Sequence, residues 1–174
     1  WSSDVCSSDL PSSVIVDGKE LTTKESFLKI MKENNFNFPI LVKYQSNSSF
    51  YFKHLATMIF EEESLDNYLN YYNSLDINNL NCILQSFVNH GGHVIKMYRI
   101  NEENHIDWRS SLPDINKEFD KNYPEGYWTF KTTNLESETY KELWRKYHSV
   151  NIIKDRINYD YIYSVSKAFE QFSG

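Results

Sequence analysis

Lys96, Arg109 and Ser111 have the side chains and the spacing that suit a phosphate. Lys96 falls in an apolar strand run with Val94 and Tyr98 on its own face, where a bare ammonium is costly unless an anion meets it. Arg109 and Ser111 recur two apart on a later predicted strand, so they point the same way, together with His105 and Asp107. Between the two runs Asn89, His90, Gly91 and Gly92 supply a tight turn. Upstream, Lys43 alternates with Leu41 and Gln45 on a predicted strand; there a packed stem with a solvated head is the plain alternative to a ligand role. His90 and His93 form a His-x-x-His pair, but no further Cys or His stands at zinc-ligand spacing, so no metal is assigned to them.

The elements that must position these residues read as alternating strands and helices. Ser13 to Val16 is a strand closed by a turn at Asp17 and Gly18. Thr22 with Glu25 forms a capping box for a helix to about Asn34, with Phe27, Ile30 and Met31 inward. Ile40 to Tyr44 and Leu55 to Phe60 are strands around a polar loop at Ser46 to Ser49. Glu61, Glu62 and Glu63 form a solvated approach to a helix that Ser64 opens and that buries Leu65, Tyr68, Leu69 and Tyr72. Cys82 to Val88 and Val94 to Ile100 are expected to pair as a hairpin around the glycine turn, with Ile106 to Ser111 a further strand. Asp114 to Thr133 reads as irregular and aromatic, and two amphipathic helices follow, one with Tyr140, Leu143, Trp144 and Tyr147, the other with Tyr161, Val165, Ala168, Phe169 and Phe172. No internal repeat or low-complexity segment is found.

The 174 residues, 40% hydrophobic and 16% aromatic, suffice for one core of ordinary size. A net charge of −6 with dispersed basic residues argues against a nucleic-acid surface, so a polyanion would need a local cationic pocket against an acidic background. Residues 1–10, WSSDVCSSDL, read back into codons as a common high-throughput sequencing adapter and are set aside. Cys82 is then the single cysteine, which leaves no internal disulfide and fits a reducing compartment. No apolar run reaches the length of a membrane span and no signal peptide is visible, so a cytoplasmic, monomeric protein without membrane or nucleic-acid partners is expected.

At the residues that carry this chemistry the chain resembles the inositol-tetrakisphosphate 1-kinase family, the inositol 1,3,4-trisphosphate 5/6-kinases, which are ATP-grasp enzymes. That family carries a Gln-x-Phe-(Ile or Val)-Asn-His turn, a Lys six residues after the His, and an Arg-x-Ser-Leu segment. Here these are Gln85, Phe87, Val88, Asn89, His90, Lys96, Arg109, Ser111 and Leu112. The family's Phe-Pro-x-x-x-Lys stands as Phe38, Pro39 and Lys43, with a His about eleven residues later at His54. The four patches arrive in the family's order over residues 11–174.

The resemblance implies an α+β ATP-grasp fold with antiparallel sheets and flanking helices, residues 11–88 forming the central subdomain and 89–174 the start of the C-terminal one. It implies ATP as cofactor, held by Lys43, Lys96 and Ser111 and by the Gln85, Ser86, Phe87 and Val88 linker. His54, Lys96 and Arg109 would take the inositol phosphate. Lys43, Lys96 and Arg109 would neutralise charge as the γ-phosphoryl passes to an inositol hydroxyl, giving a 1-kinase or 5- or 6-kinase activity. One lysine–phosphate contact at about 4 Å has a gross attraction of roughly 4 kcal/mol at an effective dielectric near 20.

In the family the carboxylates for magnesium, an Asp and an Asp-x-Asn, follow the last helix and are expected beyond Gly174. The chain is therefore read as a fragment truncated at both ends and inactive alone. It departs from the family in the loop after Lys43, where Ser46 to Phe50 contain no glycine. Two alternatives remain beside the kinase: a non-catalytic inositol-phosphate-binding relic, and another ATP-grasp ligase, which would share Lys43 but not Asn89-His90 with Arg109-x-Ser111-Leu112.

Overall fold

A computed structural model describes residues 11–45, 54–75, 80–100 and 103–134. A five-stranded antiparallel sheet is built from β1 (Ser13–Asp17), β2 (Ile40–Tyr44), β3 (Leu55–Ile59), β4 (Asn81–Ser86) and β7 (Tyr127–Lys131) in the order β1-β4-β2-β3-β7. A separate antiparallel ribbon pairs β5 (His93–Ile100) with β6 (Glu103–Ser110). Among the described residues three α-helices accompany them: α1 (Lys24–Glu33), α2 (Leu65–Ser74) and the short α3 (Lys117–Asp120).

One face of the large sheet is sealed by α1 and α2. Ile40, Val42 and Tyr44 of β2 alternate onto it with Cys82 and Leu84 of β4, and meet Phe27, Met31, Leu65, Tyr68, Leu69 and Tyr72 from the helices. The polar tips within this layer satisfy one another. The Tyr44 hydroxyl lies 3.1 Å from Thr57 Oγ1 and 3.3 Å from the Tyr68 hydroxyl, and Thr57 Oγ1 lies 2.9 Å from Thr129 Oγ1. The Tyr72 hydroxyl donates to the Gly18 carbonyl at 3.0 Å. Burial raises the Tyr44 and Tyr68 hydroxyls above their ordinary range, and pushes the Cys82 thiol up to about 11.

The opposite face is only half covered. Leu41, Ala56, Met58 and Trp128 pack there under Leu112, Ile115 and Phe119, while Ile15 on β1 is 63% exposed. Lys43 belongs to this second face, by strand alternation with Leu41.

Four expectations are corrected. The α1 cap is Thr23, whose side chain accepts from Ser26 N at 3.3 Å; the Thr22 hydroxyl instead donates to Lys19 O at 2.9 Å, closing a 3-10 turn over Gly18–Leu21. The β4–β5 hairpin does not form, because β1 and β2 occupy both edges of β4. β5 pairs with β6 instead, and the glycine turn connects two sheets. The irregular stretch after Asp114 contains α3 and β7, an edge strand paired with β3 from Leu55↔Lys131 to Ile59↔Tyr127. Its aromatics Tyr127, Trp128 and Phe130 serve both faces of the sheet, which hid the strand's alternation. Finally, Lys96 is exposed, so no cost of burial obliges it to meet an anion.

The loop Ser46 to Phe50 and the two C-terminal amphipathic helices lie outside the described residues. Among the described residues no helix is long and apolar enough to cross a membrane.

Candidate nucleotide site

Lys43 sits mid-sheet on the half-covered face. The register sets it opposite Ala56 on β3 and Ile83 on β4, so its row runs Ile15, Ile83, Lys43, Ala56, Phe130 across five strands. Its neighbours in that row are apolar and, outside Ala56, open to solvent in part or whole. Burial of about half the lysine holds its pKa below the usual 10.5. Gln85, opposite Leu41, is one step along on the same face, and its Oε1 accepts from Lys43 Nζ at 2.6 Å. A half-desolvated ammonium on an apolar shelf, aimed by one neutral acceptor, keeps two N–H donors for an anion. The side-chain role of Gln85 was not foreseen, since its part in the sequence reading was as a linker residue.

His54 lies at the foot of β3, two residues before the cross-strand partner of Lys43, and its carbonyl accepts from Thr132 N at 2.8 Å. The sheet thus brings His54 to the end where Lys43 lies. Ser86 closes β4, its N–H donating to Ser12 O at 2.9 Å. Phe87 then tucks against the second apolar layer, and Val88 is 59% exposed.

The glycine turn is held by side chains from the segment after β6. Asp114 Oδ1 accepts from both His90 N and Gly91 N at 2.9 Å. Asn89 pairs with Ile115 both ways: Ile115 N donates to Asn89 Oδ1 at 2.8 Å, and Asn89 Nδ2 donates to Ile115 O at 3.0 Å. Ser111 N donates to Gly92 O at 2.8 Å. Gly91 and Gly92 both take φ of 68°, the left-handed region that favours glycine. The two stretches that look separate in sequence, Gln85 to Gly92 and Ser111 to Ile115, are therefore one hydrogen-bonded unit. An Asn and an Asp flanking the two motifs were the available signal.

On the ribbon, Lys96 stands opposite Asp107 and Arg109 opposite Val94, so positions 94, 96, 107 and 109 share one face. Lys96 is exposed there and Tyr98, opposite His105, is 42% exposed. Arg109 is placed by its backbone alone, and its side chain lies outside the described residues. Ser111 falls just past the end of β6.

Helices mixed with antiparallel sheets make this an α+β fold. The model of the inositol 1,3,4-trisphosphate 5/6-kinase ATP-grasp domain matches residues 5–171, and the chain belongs to that family. The match takes in residues 5–10, inside the stretch read as adapter. No curated protein matches the chain.

Proposed function

We propose that this chain is the nucleotide-binding part of an inositol polyphosphate kinase that transfers the γ-phosphoryl of ATP to a hydroxyl of an inositol tris- or tetrakisphosphate. Family membership supports the reaction class. The observation that carries the site is the half-buried Lys43, hydrogen-bonded to Gln85 on the open face of the sheet beside the locked linker. Lys43 would meet the nucleotide's phosphates, the Gln85 to Val88 linker would hold its base, and Ser111 would contact it beyond the linker. Lys96 and Arg109, on one face of the ribbon, would bring positive charge to the inositol phosphate, with His54 at the sheet's end. These residues bind, orient and neutralise charge; none is asked for a covalent step.

Magnesium, when bound, would neutralise charge on the transferred phosphoryl group. Among the described residues no group of three His, Cys, Asp or Glu side chains could hold it, so these residues do not supply its cradle and no step is routed through it.

The test is calorimetric titration of the chain with ATP and, separately, with an inositol tetrakisphosphate, beside a radiolabelled γ-phosphoryl transfer assay with magnesium in which this chain by itself is expected to give no turnover. Binding of both ligands supports the reading. Binding of the inositol phosphate without ATP would favour a non-catalytic relic, and binding of ATP alone a different ATP-grasp chemistry.

A further inference from the structure

Lys24, Lys29 and Lys121 lie beside the carboxylates of Asp66, Glu33 and Glu118, at 3.1, 3.9 and 2.6 Å, and Lys19 and Lys32 stand exposed. Lys43 does neither. It is half-buried in an apolar row between Ile83 and Ala56, and its Nζ donates to the neutral Gln85 Oε1 at 2.6 Å. We propose that Lys43 is a modification site: its nitrogen takes the acyl group of an acyl phosphate, the mixed anhydride of a carboxylic and a phosphoric acid, and the amide so formed closes the site to nucleotide. The last clause rests on the nucleotide reading above; the acylation itself does not.

An amine attacks a carbonyl carbon only as the free base, because the ammonium has no lone pair. A carboxylate beside a lysine holds its proton in place, as water does around an exposed one, whereas an apolar shelf and an amide oxygen favour the charged form less. Burial accordingly lowers the proton affinity of Lys43. In the free base one N–H still donates to Gln85 Oε1, which fixes the direction in which the lone pair points. Access follows from the half-covered face: Ile83 and Phe130 in the same row are only partly buried, and Ile15 is 63% exposed. Phosphate adds selectivity, since the charged fraction of Lys43 draws the anionic end of the reagent and proton loss then frees the nucleophile beside the acyl carbon. In the step the nitrogen lone pair forms the bond to the acyl carbon, the carbon–oxygen bond to phosphate breaks, phosphate leaves with that electron pair, and the nitrogen gives up one proton to water. The product is a neutral amide whose N–H can still donate to Gln85, so the fold keeps its contact while the charge that meets phosphate is gone.

The test exposes the wild-type chain at neutral pH to acetyl phosphate, with and without ATP, and reads the acetylation rate of each lysine by proteolysis and mass spectrometry. Lys43 should acetylate severalfold faster than Lys19 and Lys32, and ATP should slow Lys43 alone. The neutral acetyl ester of N-hydroxysuccinimide, which carries no phosphate, should show a smaller preference for Lys43. Gln85→Glu sets a carboxylate against the ammonium and should bring the Lys43 rate down to that of the exposed lysines without moving theirs, whereas a general loosening of the fold would raise all rates together. A wild-type Lys43 rate no higher than those of Lys19 and Lys32 would overturn the proposal, and an equal preference with the neutral ester would overturn the choice of acyl phosphate. A Lys43 rate unmoved by Gln85→Glu would overturn the argument from the neutral partner. If Lys43 is acetylated fastest and ATP leaves its rate unchanged, the modification stands and the placing of nucleotide phosphate at Lys43 falls. Should Gln85→Glu not fold, the wild-type rates decide the matter alone.

Discussion

Lys43 is where a small change has the most legible consequence. Its ammonium is half desolvated and has one neutral partner, Gln85, so its charge is a cost to the free protein that an anionic ligand relieves. Lys43→Met keeps the stem and removes the charge. ATP affinity is expected to fall at least about tenfold, roughly 1.4 kcal/mol, while the thermal midpoint is unchanged or rises. Calorimetry beside thermal unfolding reads both, and unaltered affinity would remove Lys43 from the site. The same lysine sets a pH dependence. The unfolded chain holds this proton with the ordinary value of 10.5, whereas the folded chain releases it at lower pH. Between those two values the unfolded state binds more protons, so stability rises with pH, and the contribution is lost as pH falls through the folded value. Denaturant titrations of wild type and Lys43→Met across that window should differ by this slope. ATP affinity should decline over it in the wild type, as the cation that meets phosphate disappears.

Among the elements, the segment from Gln85 to Ile115 shows what a sequence does and does not disclose. The strands of the large sheet were legible as short, near-continuous apolar runs in Ile40 to Tyr44 and Leu55 to Ile59, buried on both faces, and the buried stripe Leu65, Tyr68, Leu69, Tyr72 announced its helix. Pairing was not legible. A glycine turn between two apolar runs reads as a hairpin, and only the long-range partners of β4, namely β1 and β2, exclude it. Candidate residues from Lys43 to Ser111 could be named from motifs, but the bond between Lys43 and Gln85 and the bridge from His90 to Ser111 depend on register and rotamer, which spacing does not carry. The clamp at Asp114 gives an element-scale prediction. Asp114→Ala leaves two N–H groups without their carboxylate, at about 1–3 kcal/mol each where water cannot replace it. The thermal midpoint should drop, amide exchange at His90 and Gly91 should accelerate, and Asp114→Asn, which keeps one oxygen, should recover part of both. Unchanged exchange at those two amides would show that the turn holds without the clamp. A second element-scale test lies at Gly126, with φ of 77° and a position where an added Cβ would fall 1.7 Å from Ser64 Oγ. Gly126→Ala is expected to cost about 3 kcal/mol or more, and Ser64→Gly beside it should restore only the steric share, because the left-handed backbone stays strained.

For the whole molecule the question is whether the two apolar layers fold as one. The first, under α1 and α2, centres on Phe27, Tyr68 and Tyr72; the second, under the segment Leu112 to Phe119, centres on Phe119 with Met58 and Trp128. They share no side chains, yet both rest on the same strands: in β3, Leu55 and Ile59 serve one layer while Ala56 and Met58 serve the other. A strand cannot lose one face and keep the other without breaking the ladder that β2, β3 and β7 hold in common, so local loss in either layer must propagate. Phe27 and Phe119 are both fully buried, and truncation of either to Ala is expected to cost about 3–5 kcal/mol. Cooperativity requires that each lower a single unfolding transition, with near-ultraviolet and far-ultraviolet circular dichroism melting together. If Phe119→Ala instead split the transition and left the α1 and α2 layer melting at its wild-type midpoint, the half-covered face would be an independent unit. Nucleotide binding should then stabilise only the transition that contains the linker. If the layers are coupled, ATP should raise the one midpoint of the wild type by mass action, and the shift should persist in Phe27→Ala, whose lesion lies on the face away from Lys43.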